Sequence, residues 1–131
     1  DPQFESWVHD IITYQDIKYE NVRKMREAGI PIIAGSDSPN VATVGGASLH
    51  KELRFFVERC GFTPIEAVAA ATSVSGEMLA KTTGVEGLGR IKEGGMADLV
   101  ILNADFRDDI RNTEDIYMVI SNGRIVDRKT D

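Results

Sequence analysis

Ala28-Gly29-Ile30-Pro31-Ile32-Ile33-Ala34-Gly35-Ser36-Asp37-Ser38 is the stretch on which the fold turns. The apolar run 30–34 has the length and β-branched content of a strand buried on both faces. It ends in small residues and then a carboxylate, which puts Asp37 just past the strand's C-terminal end. In folds with parallel strands, that end is where ligands bind and chemistry is done. Gly35 and Ser36 carry little bulk and leave the approach to Asp37 open. The same carboxylate could instead cap the next turn, as Asp often does ahead of Ser-Pro-Asn. Local sequence leaves both readings open.

Toward the N-terminus, Phe4, Trp7, Val8, Ile11 and Ile12 are spaced as one face of a short helix. His9 among them has the pattern of a surface or core histidine rather than a ligand. Tyr14, Ile17, Val22, Met25 and Ala28 continue the helical spacing, with Lys18, Arg23, Lys24 and Arg26 opposite. Gly29 supplies the stop, so the strand follows with a minimal connection.

Toward the C-terminus, residues 38–47 contain Pro39, Asn40 and the pair Gly45-Gly46 and have no apolar period. A loop of that kind directly after a strand end is expected to face substrate, which makes Ser38 and Asn40 candidate substrate-binding residues. Leu49, Leu53, Phe56, Val57 and Cys60 then mark a helix closed by Gly61. His50 opens that helix off its apolar stripe. It is either solvent-exposed or a contact to a ligand held in the preceding loop.

Thr63-Pro64-Ile65-Glu66 carries the signature of a capping box with Pro at the first helical position. An Ala-rich helix to about Ala71, a break at residues 72–75 and a second short helix closed by Gly84 follow. From Gly87 the character changes: four glycines fall within residues 87–96, and residues 97–102 have the pattern of a strand. Residues 105–115, with five carboxylates against two arginines, are expected to be a solvated loop. Residues 116–120 form another strand, and Ser121-Asn122-Gly123-Arg124 supplies a hairpin turn into the return strand. Arg128-Lys129 is expected to be a solvated strand end. The chain divides near residue 84 into an α/β portion (1–84) and a small β portion (85–131).

The 131 residues suffice for one ordinary domain, and 42% hydrophobic with 27% charged residues is the composition of a globular protein. A formal charge of −6 gives no electrostatic case for nucleic acid or an anionic membrane. The one cysteine, Cys60, excludes an intrachain disulfide and suits a reducing compartment, so a cytoplasmic location is expected. Its place at the end of an apolar stripe predicts buried packing rather than reactivity. No apolar run approaches membrane-spanning length, and no signal-peptide pattern is present. The chain opens Asp1-Pro2-Gln3 without Met, as though cut from something longer.

The ordered series of strand–Asp–loop, His-containing helix, Thr-Pro-x-Glu-Ala helix, Ala-Thr-x-x-x-Gly-Glu-x-Leu helix, Gly89-Arg90-Ile91 through Leu102, and Val-Ile-x-Asn-Gly-x-x-Val resembles the C-terminal third of the metal-dependent amidohydrolase superfamily. Its imidazolonepropionase and Xaa-Pro dipeptidase-like branch looks nearest, and the resemblance covers residues 22 to 127. It implies the last strand and helices of a (β/α)₈ TIM barrel, followed by part of a small β-sandwich. It also implies a divalent metal, Zn²⁺, with Asp37 in the position that binds or faces it. There Asp37 takes a proton from metal-activated water and passes it to the leaving nitrogen, which fits C–N bond hydrolysis of an amide, cyclic amide or dipeptide. Asp98 matches the family's Ala-Asp pair, where it is structural.

Departures from the family pattern are equally plain. The His-x-His pair after strand one, the Lys or Glu after strand four and the histidines after strands five and six are missing, since His9 and His50 are the chain's two histidines. A full barrel takes about 250 residues, so the chain is expected to be one segment of a larger polypeptide. Two readings therefore compete: part of a metal-dependent hydrolase completed by the remainder of the barrel, or a self-associating binding or structural module without catalysis.

Overall fold

The computed structural model describes residues 1–40 and 43–127. The chain starts with two helices, α1 (Pro2–Thr13) and α2 (Gln15–Glu27). Asp1 caps α1 through its side chain, accepting from the Gln3 N–H at 3.0 Å. Glycine ends α2 as the sequence indicates: Gly29 has φ 74°, its N–H bonds to the Arg26 carbonyl, and the Ile30 N–H reaches back to Met25. That pair of bonds is a Schellman closure, which only a residue at ease with positive φ completes without strain. Neither helix contains a buried residue. The apolar stripe of α1, with Phe4, Trp7 and Ile12, stays exposed.

The core is helical. α3 (Ala47–Cys60) turns Leu53, Phe56 and Cys60 inward, the stripe that its spacing predicts, and ends at Gly61 with φ 76°. α4 (Pro64–Ala71) carries both halves of the capping box between Thr63 and Glu66 and buries Ala67 and Ala70. Phe62, in the short link between them, stacks on Phe56 with centroids 4.8 Å apart. Small alanines on α4 let α3 approach closely. Cys60, 1% exposed, is packed as expected, and burial pushes its thiol pKa up, away from reactivity. α5 (Ser73–Thr83) follows a break at Thr72.

Beyond α5, residues 87–96 wind back against the helices. A Cβ on Gly76 would stand 2.3 Å from the Leu88 carbonyl oxygen, and one on Gly89 would stand 2.1 Å from that of Thr72. At these two places backbone touches backbone. A three-stranded antiparallel sheet then runs β1 (Leu99–Leu102), β2 (Ile116–Ser121) and β3 (Arg124–Ile125), with Leu99 opposite Ile120 and Ser121 opposite Arg124. Asn122 and Gly123 both have positive φ, 48° and 75°, the demand of the hairpin turn that Asn-Gly meets. The Asp98 carboxylate accepts from the Asn122 N–H at 2.6 Å and the Ser121 hydroxyl at 3.2 Å, tying β1 to that turn.

Two expectations need correction. Residues 30–34 form no strand: Ile30 and Ile33 are 51% and 41% exposed, while Ile32 and Ala34 pack on the core. A strand is a pairing, and among the described residues nothing runs alongside this segment; the Ala34 N–H bonds instead to the Ala70 carbonyl of α4 at 3.1 Å. Nor is 105–115 simply solvated. It folds into a 3₁₀-helix (Ile110–Glu114) whose Ile110 and Thr113 are buried, with Ile110 in the same cluster as Leu53 and Phe56. Its charges are paired locally: Arg111 grips Asp109, whose carboxyl is lowered to about 2 by that hydrogen bond. One apolar residue thus anchors an otherwise charged loop. Part of the 38–47 loop, Val41 and Ala42, and the expected strand end at Arg128-Lys129 lie outside the described residues. No helix among the described residues is long and apolar enough to cross a membrane.

Candidate active site

The site is built at the end of the 30–34 run. Asp37 follows two small residues, is exposed, and has φ 52°. That left-handed conformation costs a residue with a Cβ about 1 kcal/mol, and Asp and Asn tolerate it better than most. The turn that imposes it is closed by side chains. Asn40 Nδ2 donates to Asp37 Oδ2 at 2.8 Å. The Asn40 N–H donates to the Thr43 hydroxyl at 2.8 Å, and the Thr43 N–H returns to the Asn40 carbonyl at 3.0 Å. Ser36 donates to the Ser38 hydroxyl at 3.2 Å.

Of the two loop residues expected on the substrate side, Asn40 gives its amide to the Asp37 carboxylate, while Ser38 pairs with Ser36. Among the described residues, the Asn40 side-chain amide is the donor that orients the Asp37 carboxylate. His50 is half-buried, and its Nδ1 is 3.1 Å from the Thr113 hydroxyl of the 3₁₀-helix. That hydroxyl donates its single proton to the Ile110 carbonyl at 2.8 Å, so the imidazole must be the donor, which fixes the proton on Nδ1. The ring ties α3 to the turn at 110–114. His9 is exposed on α1 and near Asp10.

Glu52 gives no signal in the sequence, since it sits between the apolar positions of α3 like any surface glutamate. In the structure it is half-buried, and both its oxygens accept the Gly35 N–H, at 3.2 and 3.1 Å. Burial raises its carboxyl pKa, and the Gly35 bond offsets that in part.

Among the described residues, no three His, Cys, Asp or Glu side chains converge as a metal site would need. A catalytic zinc takes three protein ligands, and Asp37 is at most one of them. These residues do not form a metal site by themselves. Two shallow concavities lie where α4 meets the loops and sheet beyond residue 88, around Ile65 and Phe106, and neither is lined by Asp37 or His50.

Comparison with known proteins sets this geometry in context. Residues 12–126 match the sequence model of the amidohydrolase family. Ochratoxinase of Aspergillus niger is 34% identical over 85 residues, which is 65% of this chain and 16% of that protein. Its crystal structure superposes with a TM-score of 0.74 at 29% identity, covering 92% of this chain and 27% of that one. A candidate prolidase from Bifidobacterium longum gives 0.73 at 36% identity, covering 84% of this chain and 26% of that one. A Xaa-Pro dipeptidase with methionine bound in its active site gives 0.69 at 30% identity, covering 84% of this chain and 25% of that one. The chain thus spans about a quarter of the solved structures it resembles. With the match running through nearly all of its length, the chain belongs to the amidohydrolase family.

Proposed function

We propose that this chain is the C-terminal segment of a metal-dependent hydrolase of C–N bonds, acting on an amide, cyclic amide or dipeptide. Membership of the amidohydrolase family and the likeness to an ochratoxinase and a Xaa-Pro dipeptidase support the reading. Residues 1–84 would supply the last strand and helices of a TIM barrel, and residues 85–131 part of a small β-sandwich whose second sheet comes from elsewhere.

The observation that carries the proposal is the Asp37 carboxylate, held by Asn40 at the end of the 30–34 run. Its role is to take a proton from the attacking water and return it to the leaving nitrogen, a double transfer suited to one fixed carboxylate. A divalent ion such as Zn²⁺ supplies an activated water in this class of chemistry. This chain would contribute Asp37 to its surroundings, and the remaining ligands would come from the rest of the enzyme. Ser38, Asn40 and His50 are assigned to the substrate side of the loop. The substrate is a small molecule; neither nucleic acid nor a membrane is a partner, and the buried free Cys60 accords with a cytoplasmic location.

A panel of Xaa-Pro dipeptides and N-acyl amides, assayed with the full-length protein before and after chelation, tests the reading. The proposal expects hydrolysis of at least one class, lost on chelation and restored by metal, and none from the 131 residues alone. A full-length protein that neither retains metal nor cleaves any of these would favour the non-catalytic, self-associating reading, for which the exposed Ile30 and Ile33 speak.

A further inference from the structure

Glu52 has no part in the proton transfer assigned to Asp37, yet its carboxylate holds the backbone two residues ahead of it. It is half-buried on α3, and both its oxygens face one donor, the Gly35 N–H. Among the described residues no cation pairs with it, whereas most other carboxylates of the helices that meet α3 are gripped by an arginine. Holding a carboxylate out of water without a cation is costly, and one N–H repays only part of it. A glutamate on a helix surface would otherwise rotate outward.

What the contact secures is the backbone two residues ahead of Asp37. The Ala34 N–H is held by the Ala70 carbonyl of α4 at 3.1 Å, and the next amide, Gly35, is held by Glu52 of α3. Two successive amides are therefore pinned to two different helices. Gly35 has no side chain to lock it, and nothing lies within 4 Å of where a Cβ would stand. Without Glu52, the Gly35-Ser36 link could swing and carry Asp37 with it.

We propose that Glu52 is a positioning residue for Asp37: by gripping the Gly35 N–H it fixes the short link that presents the Asp37 carboxylate to the reacting atoms. The inference rests on Asp37 being the proton-transfer residue. Displacement of a catalytic group by about 1 Å can cost on the order of a hundredfold in rate.

The test uses the full-length enzyme with Glu52→Ala and Glu52→Gln, compared with Asp37→Asn. Glu52→Ala is expected to lower kcat by about tenfold to a hundredfold with KM held within about threefold. Glu52→Gln, whose amide oxygen still accepts from Gly35 in a side chain of the same shape, is expected to stay within about threefold of the parent in kcat. Hydrogen exchange at the Gly35 amide should speed up in Glu52→Ala and not in Glu52→Gln. Unchanged kcat in Glu52→Ala beside an inactive Asp37→Asn overturns the positioning role alone, as does a Gln variant as impaired as the Ala variant. A fully active Asp37→Asn enzyme overturns the reading of Asp37 and this inference with it.

Discussion

Arg26 of α2 directs Nη2 at both oxygens of Glu66, 2.8 Å from each, while that same carboxylate closes the capping box of α4. The guanidinium also lies over the Phe62 ring, 5.3 Å from its centroid, so one cation joins two helices and the aromatic pair between them. The Thr63 backbone N–H, and after it Arg26, hold the Glu66 carboxyl below its ordinary value of 4.5. A carboxyl lowered in the folded state contributes stability that is fully present above its unfolded value and lost as pH falls through the folded one. The stability difference between the parent and Glu66→Gln should therefore be constant above about pH 5 and shrink below about pH 4. Urea unfolding across that range checks it. A difference that does not change with pH would remove charge from the account.

Backbone contact at Gly76 and Gly89 makes a second, steeper expectation. Gly76→Ala or Gly89→Ala would drive a methyl to 2.3 or 2.1 Å from a carbonyl oxygen, and Gly89 also has φ 71°. Each should cost about 3 kcal/mol or more. Gly84, at φ 74° with open space around it, should lose only about 1 kcal/mol on the same change. Thermal unfolding of the three variants measures the contrast, and equal losses would contradict it.

His50 has two assignments to satisfy, the tie to Thr113 and the substrate side of the loop. His50→Ala should lower stability by about 1 kcal/mol, because Thr113 is 6% exposed and loses a donor. It should also raise KM more than it lowers kcat, since a contact that only positions substrate acts on ground and transition states alike. Lost stability with unchanged KM would leave His50 a structural tie and take it off the substrate side.

The 131 residues in isolation should self-associate. Ile30 and Ile33 are exposed beside backbone that pairs with no strand among the described residues, and such an edge is a template for another chain. Light scattering at rising concentration, with hydrogen exchange at Ile32 and Ile33, reads the outcome. A compact monomer in which both amides are well protected would contradict it.

How far the sequence alone reaches follows from the range of each interaction. The α3 stripe, the Thr63–Glu66 capping box, the Gly29 and Gly61 stops and the Asn122-Gly123 turn were all legible, because each is decided within a few residues. Residues 30–34 have a strand's composition, but a strand also needs neighbours, and composition carries no information on them. Ile110 and Thr113 lie in a run of charges, and their burial depends on meeting α3, with Thr113 63 positions from His50. Glu52 was invisible because its partner is a backbone amide 17 positions away, which no side-chain pattern marks.

The central claim is that this chain supplies the carboxylate that moves the proton. Asp37→Asn in the full-length enzyme, assayed for kcat on its best C–N substrate with folding monitored by circular dichroism, tests it most directly. Asn preserves the shape of the side chain but cannot take up the proton. The account predicts an intact fold and a loss of about 10² to 10⁴ in kcat. Turnover within a few-fold of the parent would contradict it.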